Sequence, residues 1–244
     1  MSPPRARLNL QDILRSADRA GVKLRMPADH PRRTVAAMRL ILSAPVERQK
    51  AVAQDPSRPT GCAARMRSAE VLAAVAARHG LDVAAIEAPA VKQALFDTTA
   101  EAFERGVFGV PTFAVGGRLH WGQDRMHFVE ALLGGPTTAA PPAPAEAPGP
   151  ARVRFFHDYA SPYSYLAAQR IEAVAAAAGA RLEWVPILLG GLFRAIGTPD
   201  VPMLALSAAR QAWVGRDLAD WAAWWKVPFS FPNHFPLARS CPCA

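Results

Sequence analysis

Residues 134–151 read GGPTTAAPPAPAEAPGPA, and no packed element can run through them. Proline brings no N–H to a helix or sheet, and the alanines and threonines offer little apolar surface. The stretch reads as a linker that divides the chain into unlike halves. The first half, residues 1–133, carries helical periodicity over 11–20, 33–43, 46–53, 68–79, 82–87 and 90–105, with Asp82 as a cap. It closes on a loop, a strand at 112–115, a Gly116-Gly117 turn, a strand at 118–121 and a helix at 124–133. The second half, residues 152–244, reads as strand 152–157, helix 162–178, strand 181–187 and helix 203–225. Strand, helix, strand is a βαβ unit.

The halves share a weak repeat. Setting Asp12 on Asp217 also sets Ala17 on Ala222, Val22 on Val227, Pro27 on Pro232 and Pro31 on Pro236, without a gap. A helix, a valine and a proline-punctuated loop thus occur twice, about one domain apart. The pattern implies the tail of one domain joined to the head of a second, related one.

Composition removes several function classes. Hydrophobic residues make up 51% of the 244, enough for a globular core. The alanine-rich runs fall well short of the ~20 residues that a membrane span needs. Met1-Ser2-Pro3-Pro4-Arg5-Ala6-Arg7 contains no apolar signal core, so the expected compartment is the cytoplasm. The net charge of +8 comes from scattered arginines, with lysine only at 23, 50, 92 and 226. That distribution argues against a nucleic-acid partner and suits a small anionic substrate. Cys62, Cys241 and Cys243 form no disulfide framework, and their spacing does not fit a metal site.

Tyr159-Ala160-Ser161-Pro162-Tyr163-Ser164-Tyr165 joins the first strand of the βαβ unit to its helix. A hydroxyl there can cap the helix or hold an anion, but two serines cannot cycle through a disulfide. With FFHDYASPYSYLAAQRIEAVAA, LEWVPILLGGLFRAIG and PFSFPNHFP, the second half resembles the opening of the 2-hydroxychromene-2-carboxylate isomerases. These are relatives of kappa-class glutathione transferases and of thioredoxin-fold disulfide oxidoreductases. Residues 90–133, with GVFGVPTF and WGQDRMHFVEALL, resemble the closing part of the same family.

The resemblance implies an α/β, thioredoxin-like fold with a helical lid insertion, its halves here in permuted chain order. Residues 1–133 would hold lid helices and the closing thioredoxin half. Residues 152–244 would hold the opening half and the start of a lid. It also implies glutathione as cofactor and an aromatic carboxylate as substrate, 2-hydroxychromene-2-carboxylate being interconverted with its open-chain hydroxybenzylidenepyruvate isomer. A homodimer is compatible with that reading.

The implied site follows residue by residue. Ser161 would donate its hydroxyl hydrogen to the glutathione sulfur at a helix start, where Pro162 suits the first helical position. Val110-Pro111 resembles the cis-proline loop of thioredoxin folds, where the Val110 backbone would pair with the glutathione chain; an ordinary strand-entry proline is the alternative. Gly122, Gln123 and Asp124 would grip the γ-glutamyl end, Asp124 facing its ammonium; as a plain helix cap Asp124 needs no ligand. Arg194 stands where the family usually has lysine and would hold the substrate carboxylate, with a solvated surface arginine as the alternative. Trp213 would face the substrate or fill the core, and Asn233 would line the pocket. Tyr163 and Tyr165 read as core or pocket wall, and His157 as a packed strand histidine.

Two segments depart from the family. Residues 55–66 (DPSRPTGCAARM) interrupt a helical region, and with suitable codons a shifted frame gives a lid-like segment. The last residues, in the same shifted frame, give an Arg-Thr-Val run, which the repeat has at Arg33-Thr34-Val35. The rival readings are therefore a glutathione transferase acting on electrophiles and an inactive, frameshifted fragment of a two-domain protein.

Overall fold

The structure, a computed structural model, describes residues 3–24, 33–55, 69–135, 151–199 and 201–231. Asn233, the three cysteines and most of both frame-departing segments lie outside them. The chain divides into two compact units, Met1–Arg105 and Gly106–Ala244. The closing hairpin and its helix therefore belong with the βαβ half.

The first unit is helical: α1 (Pro3–Arg19), α2 (Val35–Leu42), α3 (Val46–Ala53), α4 (Ala69–Arg78), a 3-10 turn (Val83–Glu87) and α5 (Pro89–Glu104). Ala37 and Leu40 of α2, Val52 of α3, and Leu72, Val75 and Ala76 of α4 form its core. Asp82 caps the 3-10 turn as expected, accepting from the Ala84 N–H at 2.9 Å. Asp55, just past α3, is buried and takes the Arg78 guanidinium at 3.0 and 3.1 Å and His79 Nε2 at 2.8 Å. That buried carboxylate ties the end of α3 to the end of α4.

In the second unit β1 (Thr112–Val115) and β2 (Arg118–Trp121) form the predicted hairpin, antiparallel with Thr112 opposite Trp121. Gly116 and Gly117 turn it with φ of +55° and +76°, values that glycine adopts without a Cβ clash. A 3-10 turn (Gln123–Arg125) leads into α6 (Met126–Leu132). After the linker, β3 (Arg152–His157) pairs in parallel with β4 (Arg181–Pro186) across α7 (Pro162–Ala168) and α8 (Ile171–Ala177). Then come α9 (Leu189–Ala195), a 3-10 turn (Pro202–Ala205) and α10 (Ala208–Trp225).

Local expectations change at several points; α1, expected over 11–20, already begins at Pro3. The helix predicted over 162–178 is two, broken where Arg170 takes a φ of −126° and lays its guanidinium over the Trp225 ring, 5.5 Å from the centroid. The helix predicted from 203 starts at Ala208, because Ser207 caps it through the Arg210 N–H. The segment after β4 forms α9 despite Gly190 and Gly191; its Leu189 N–H donates to Asp158 at 2.6 Å.

Among the described residues the two strand pairs remain separate sheets, β1-β2 and β3-β4. What joins them is α10. Its Leu218 and Ala222 pack with Leu166 of α7, while Trp213 meets Phe108 and Trp121 at the hairpin.

Candidate functional site

Ser161 caps α7 in extended conformation, φ −101° and ψ 113°, and its Oγ accepts from the Ser164 N–H at 3.2 Å. Pro162 takes the first helical position. Capping uses one lone pair, so the hydroxyl hydrogen remains free to donate to an anion. Asp158 shapes the approach: its Oδ1 accepts from the Ala160 N–H at 2.9 Å while its Oδ2 receives the start of α9. His157 is a packed strand histidine, stacked on Phe155 and edge-on to Trp184.

The Val110–Pro111 peptide is cis. Val110 is 86% exposed, and neither its N–H nor its C=O enters a backbone hydrogen bond among the described residues. The Pro111 carbonyl accepts from the Gly122 N–H at 2.9 Å, which extends the hairpin ladder by one step. That bond places Val110, Pro111, Gly122, Gln123 and Asp124 at one corner. Gly122 has a φ of +101°, a backbone conformation that favours glycine, and a Cβ there would displace the Asp124 carboxylate. Gly109 is needed for a different reason: a Cβ would lie 2.8 Å from Trp121 Nε1.

Behind the corner lies an aromatic cluster. Phe108, Trp121 and Trp213 meet pairwise with ring centroids 5.3 to 5.5 Å apart, and the Arg210 guanidinium covers Phe108 and Trp121. Trp213 is buried in that cluster, which is the packing role rather than the open pocket wall. Trp121 Nε1 is buried without a partner among the described residues.

Arg125, Asp217 and Tyr163 connect the site, although the sequence marked Asp217 only as a repeat position, Tyr163 only by its place in the serine loop, and Arg125 only as part of the WGQDR run. Arg125 donates through Nε and one Nη to the two oxygens of buried Asp217, both at 2.9 Å. Its other Nη pairs with Asp124. The guanidinium also lies 5.7 Å and 5.4 Å from the Trp213 and Trp221 ring centroids. Burial opposes its charge, but the Asp217 hydrogen bonds and charge prevail and hold its pKa above the ordinary value. Tyr163, two residues beyond Ser161, brings its hydroxyl to 3.4 Å from Asp217 Oδ2. Burial and then the Asp217 charge push that phenol up to about 12. One carboxylate on α10 therefore touches both the serine helix and the corner residue next to Asp124.

The signal for Asp217 was present. An acid flanked by tryptophans four residues to either side on one helix face cannot stay buried without a cation.

Arg194 is exposed in the last turn of α9. The start of that helix is tied to the serine loop through Asp158. A cleft of about 270 Å³ between β2, α6 and α10 is lined by residues including His120, Phe128, Asp220 and Trp224. None of the predicted site residues lines it. Burial keeps His120 there below its ordinary pKa.

The described residues contain no cluster of His, Cys, Asp and Glu able to hold a metal ion. No helix among them is long and apolar enough to cross a membrane. The model of the DSBA-like thioredoxin domain family matches residues 1–134 and 152–241, nearly the whole chain outside the linker. This chain belongs to that family. The match agrees with the resemblance carried by SPYSY, GVPTF and WGQDR. Among curated proteins no relative matches. A solved 2-hydroxychromene-2-carboxylate isomerase is similar at 26% identity over 53% of this chain and 67% of its own, with a TM-score of 0.46.

Proposed function

We propose that this protein is a glutathione-dependent isomerase of the 2-hydroxychromene-2-carboxylate type. The observation that carries the reading is the Asp217 junction. Through Tyr163 it reaches the helix that begins at Ser161, and through Arg125 the corner that presents Asp124. A ligand with a thiol at one end and an ammonium at the other suits a site whose two ends share one anchor.

In this reading Ser161 donates its hydroxyl hydrogen to the glutathione sulfur and lowers the cost of ionising it. Val110 offers its open backbone edge to the tripeptide, and exposed Asp124 meets the γ-glutamyl ammonium. The thiolate adds to the conjugated double bond of the open-chain substrate, which becomes a single bond and rotates. The electrons then return, the carbon–sulfur bond breaks, and glutathione leaves unchanged. Arg194 is the candidate partner for the substrate carboxylate.

Calorimetry with glutathione, paired with an assay of chromenecarboxylate isomerisation, tests the proposal. The wild type binds glutathione and isomerises without consuming it. Ser161→Ala still binds but isomerises roughly 10²–10³-fold more slowly, the size of effect seen on losing one well-placed donor to a reacting anion. Net loss of glutathione into adducts would favour a transferase. No heat of binding would sink both and leave a non-catalytic fragment.

A further inference from the structure

Asp124 is asked to hold a ligand's ammonium, yet it already pairs with Arg125. An arginine committed wholly to Asp124 would cancel its charge and leave nothing for a cation to recognise. The structure shows where the guanidinium is committed instead. Two of its nitrogens form parallel 2.9 Å bonds to Asp217, and its face is sandwiched near Trp213 and Trp221. Only the remaining nitrogen reaches Asp124, whose side chain is largely exposed. Two carboxylates around one guanidinium leave the corner one net negative charge, and the exposed member of the trio carries it outward. The Tyr163 hydroxyl, which shares Asp217 Oδ2 with Arg125, is neutral at ordinary pH and adds no charge.

We infer that Asp217 is a positioning and specificity residue. By taking up the fork of Arg125 it keeps Asp124 negative for the γ-glutamyl ammonium, and so selects glutathione over thiols lacking that group. The inference rests on the glutathione reading above and adds a cause for selectivity. It also explains why an acid stands in the middle of an aromatic helix face, where a leucine would pack without desolvating a charge.

The test compares two probes by calorimetry on the full chain: glutathione, and N-acetylcysteinylglycine, which lacks the γ-glutamyl ammonium and carboxylate. In the wild type glutathione binds more tightly. In Asp217→Asn the corner becomes neutral, Arg125 turns wholly to Asp124, and glutathione weakens about tenfold, as expected for losing one charge-assisted contact. The acetylated probe stays within about twofold. The double variant Arg125→Gln/Asp217→Asn returns the corner to one net negative charge, and it regains most of the preference for glutathione.

A residue that only held the fold would weaken both probes together, and the double variant would bind no better than the single. Either result overturns the inference while the glutathione reading stands. A wild type without preference between the probes overturns both. Should Asp217→Asn fail to fold, the double variant, which buries no unpaired charge, decides: a lost preference counts against the inference, a kept one for it.

Discussion

Helices α1 and α10 are two renderings of one repeated segment, and they differ in what covers them. The offset that sets Asp12 on Asp217 also sets Pro3 on Ala208, so both helices begin at the same repeat position. They end alike as well. Gly21 and Lys226 correspond and both take left-handed backbone, φ +65° and +56°. The next residue closes the end in each case, Val22 N–H to the Ala17 carbonyl at 2.9 Å and Val227 N–H to the Ala222 carbonyl at 2.8 Å. Burial is another matter. Trp213, Asp217, Leu218 and Ala222 are the buried residues of α10. Their counterparts in α1 are Leu8 at 58% exposure, an exposed Asp12, Ile13 at 40%, and a half-buried Ala17. Helix ends follow from local chemistry, whereas burial waits on a partner surface. Around α10 that surface is the hairpin corner with Arg125 and the α7 face with Leu166.

The sharpest way to break the comparison is to remove one apolar side chain from each copy. Leu218 is fully buried, so Leu218→Ala should cost about 2–5 kcal/mol through lost burial and the cavity left behind. Ile13→Ala should cost less than about 0.5 kcal/mol plus any change in helix propensity. Urea unfolding of the two variants measures the gap. Equal losses would mean that α1 has a covering surface of its own, and the distinction between the copies would fall.

The same division between local and long-range causes decides how much the sequence revealed. Strands 112–115, 118–121 and 152–157 lie where alternation and the Gly116-Gly117 turn placed them, since those signals sit within a few residues. Helix α3 and the Asp82 cap are local in the same sense. Helix α9 was not legible, because it carries two glycines and its first N–H is held by Asp158 from thirty-one residues earlier. The break at Arg170 has no proline or glycine to announce it; its visible correlate is the contact with Trp225. At the site, Val110, Pro111, Gly122, Gln123 and Asp124 form the corner read from their motifs. Asp217 is bonded across ninety-two residues to Arg125, and only the conflict between its charge and its aromatic neighbours hinted at it.

A second measurement sharpens the comparison at the polar position. Asp217 has the Tyr163 phenol against it, and burial together with the Asp217 charge pushes that phenol from its ordinary 10.0 up to about 12. Because the folded state raises this pKa, the stabilisation is fully present below pH 10. It disappears as pH rises through about 12, where the unfolded chain releases the proton more readily. Tyr163 remains partly open to solvent, which trims the effect to about 1 kcal/mol. Stability measured from pH 9 to 12 should therefore decline in the wild type, and Tyr163→Phe should remove that part of the decline. An unchanged slope would show that neither burial nor the carboxylate raises the phenol.

The smallest expected effect lies at the shared helix end. Gly21 adopts its left-handed conformation without a Cβ, while Lys226 holds nearly the same φ with one. The cost at position 226 is borne because the closing bond to Ala222 and the packing of Val227 and Phe229 against the cluster of Leu166, Leu218 and Ala222 fix the chain direction there. Replacing Lys226 by the residue its repeat partner already has should then stabilise the fold. Lys226→Gly should gain about 0.5–1 kcal/mol, the relief of the left-handed strain exceeding the entropy glycine adds to the unfolded chain. The reverse exchange, Gly21→Lys, should cost a similar amount if α1 is as firmly terminated as α10. A smaller cost at Gly21, read as a shift in urea midpoint, would show that an uncovered helix lets its end fray, so that even the last turn depends on what lies beside it.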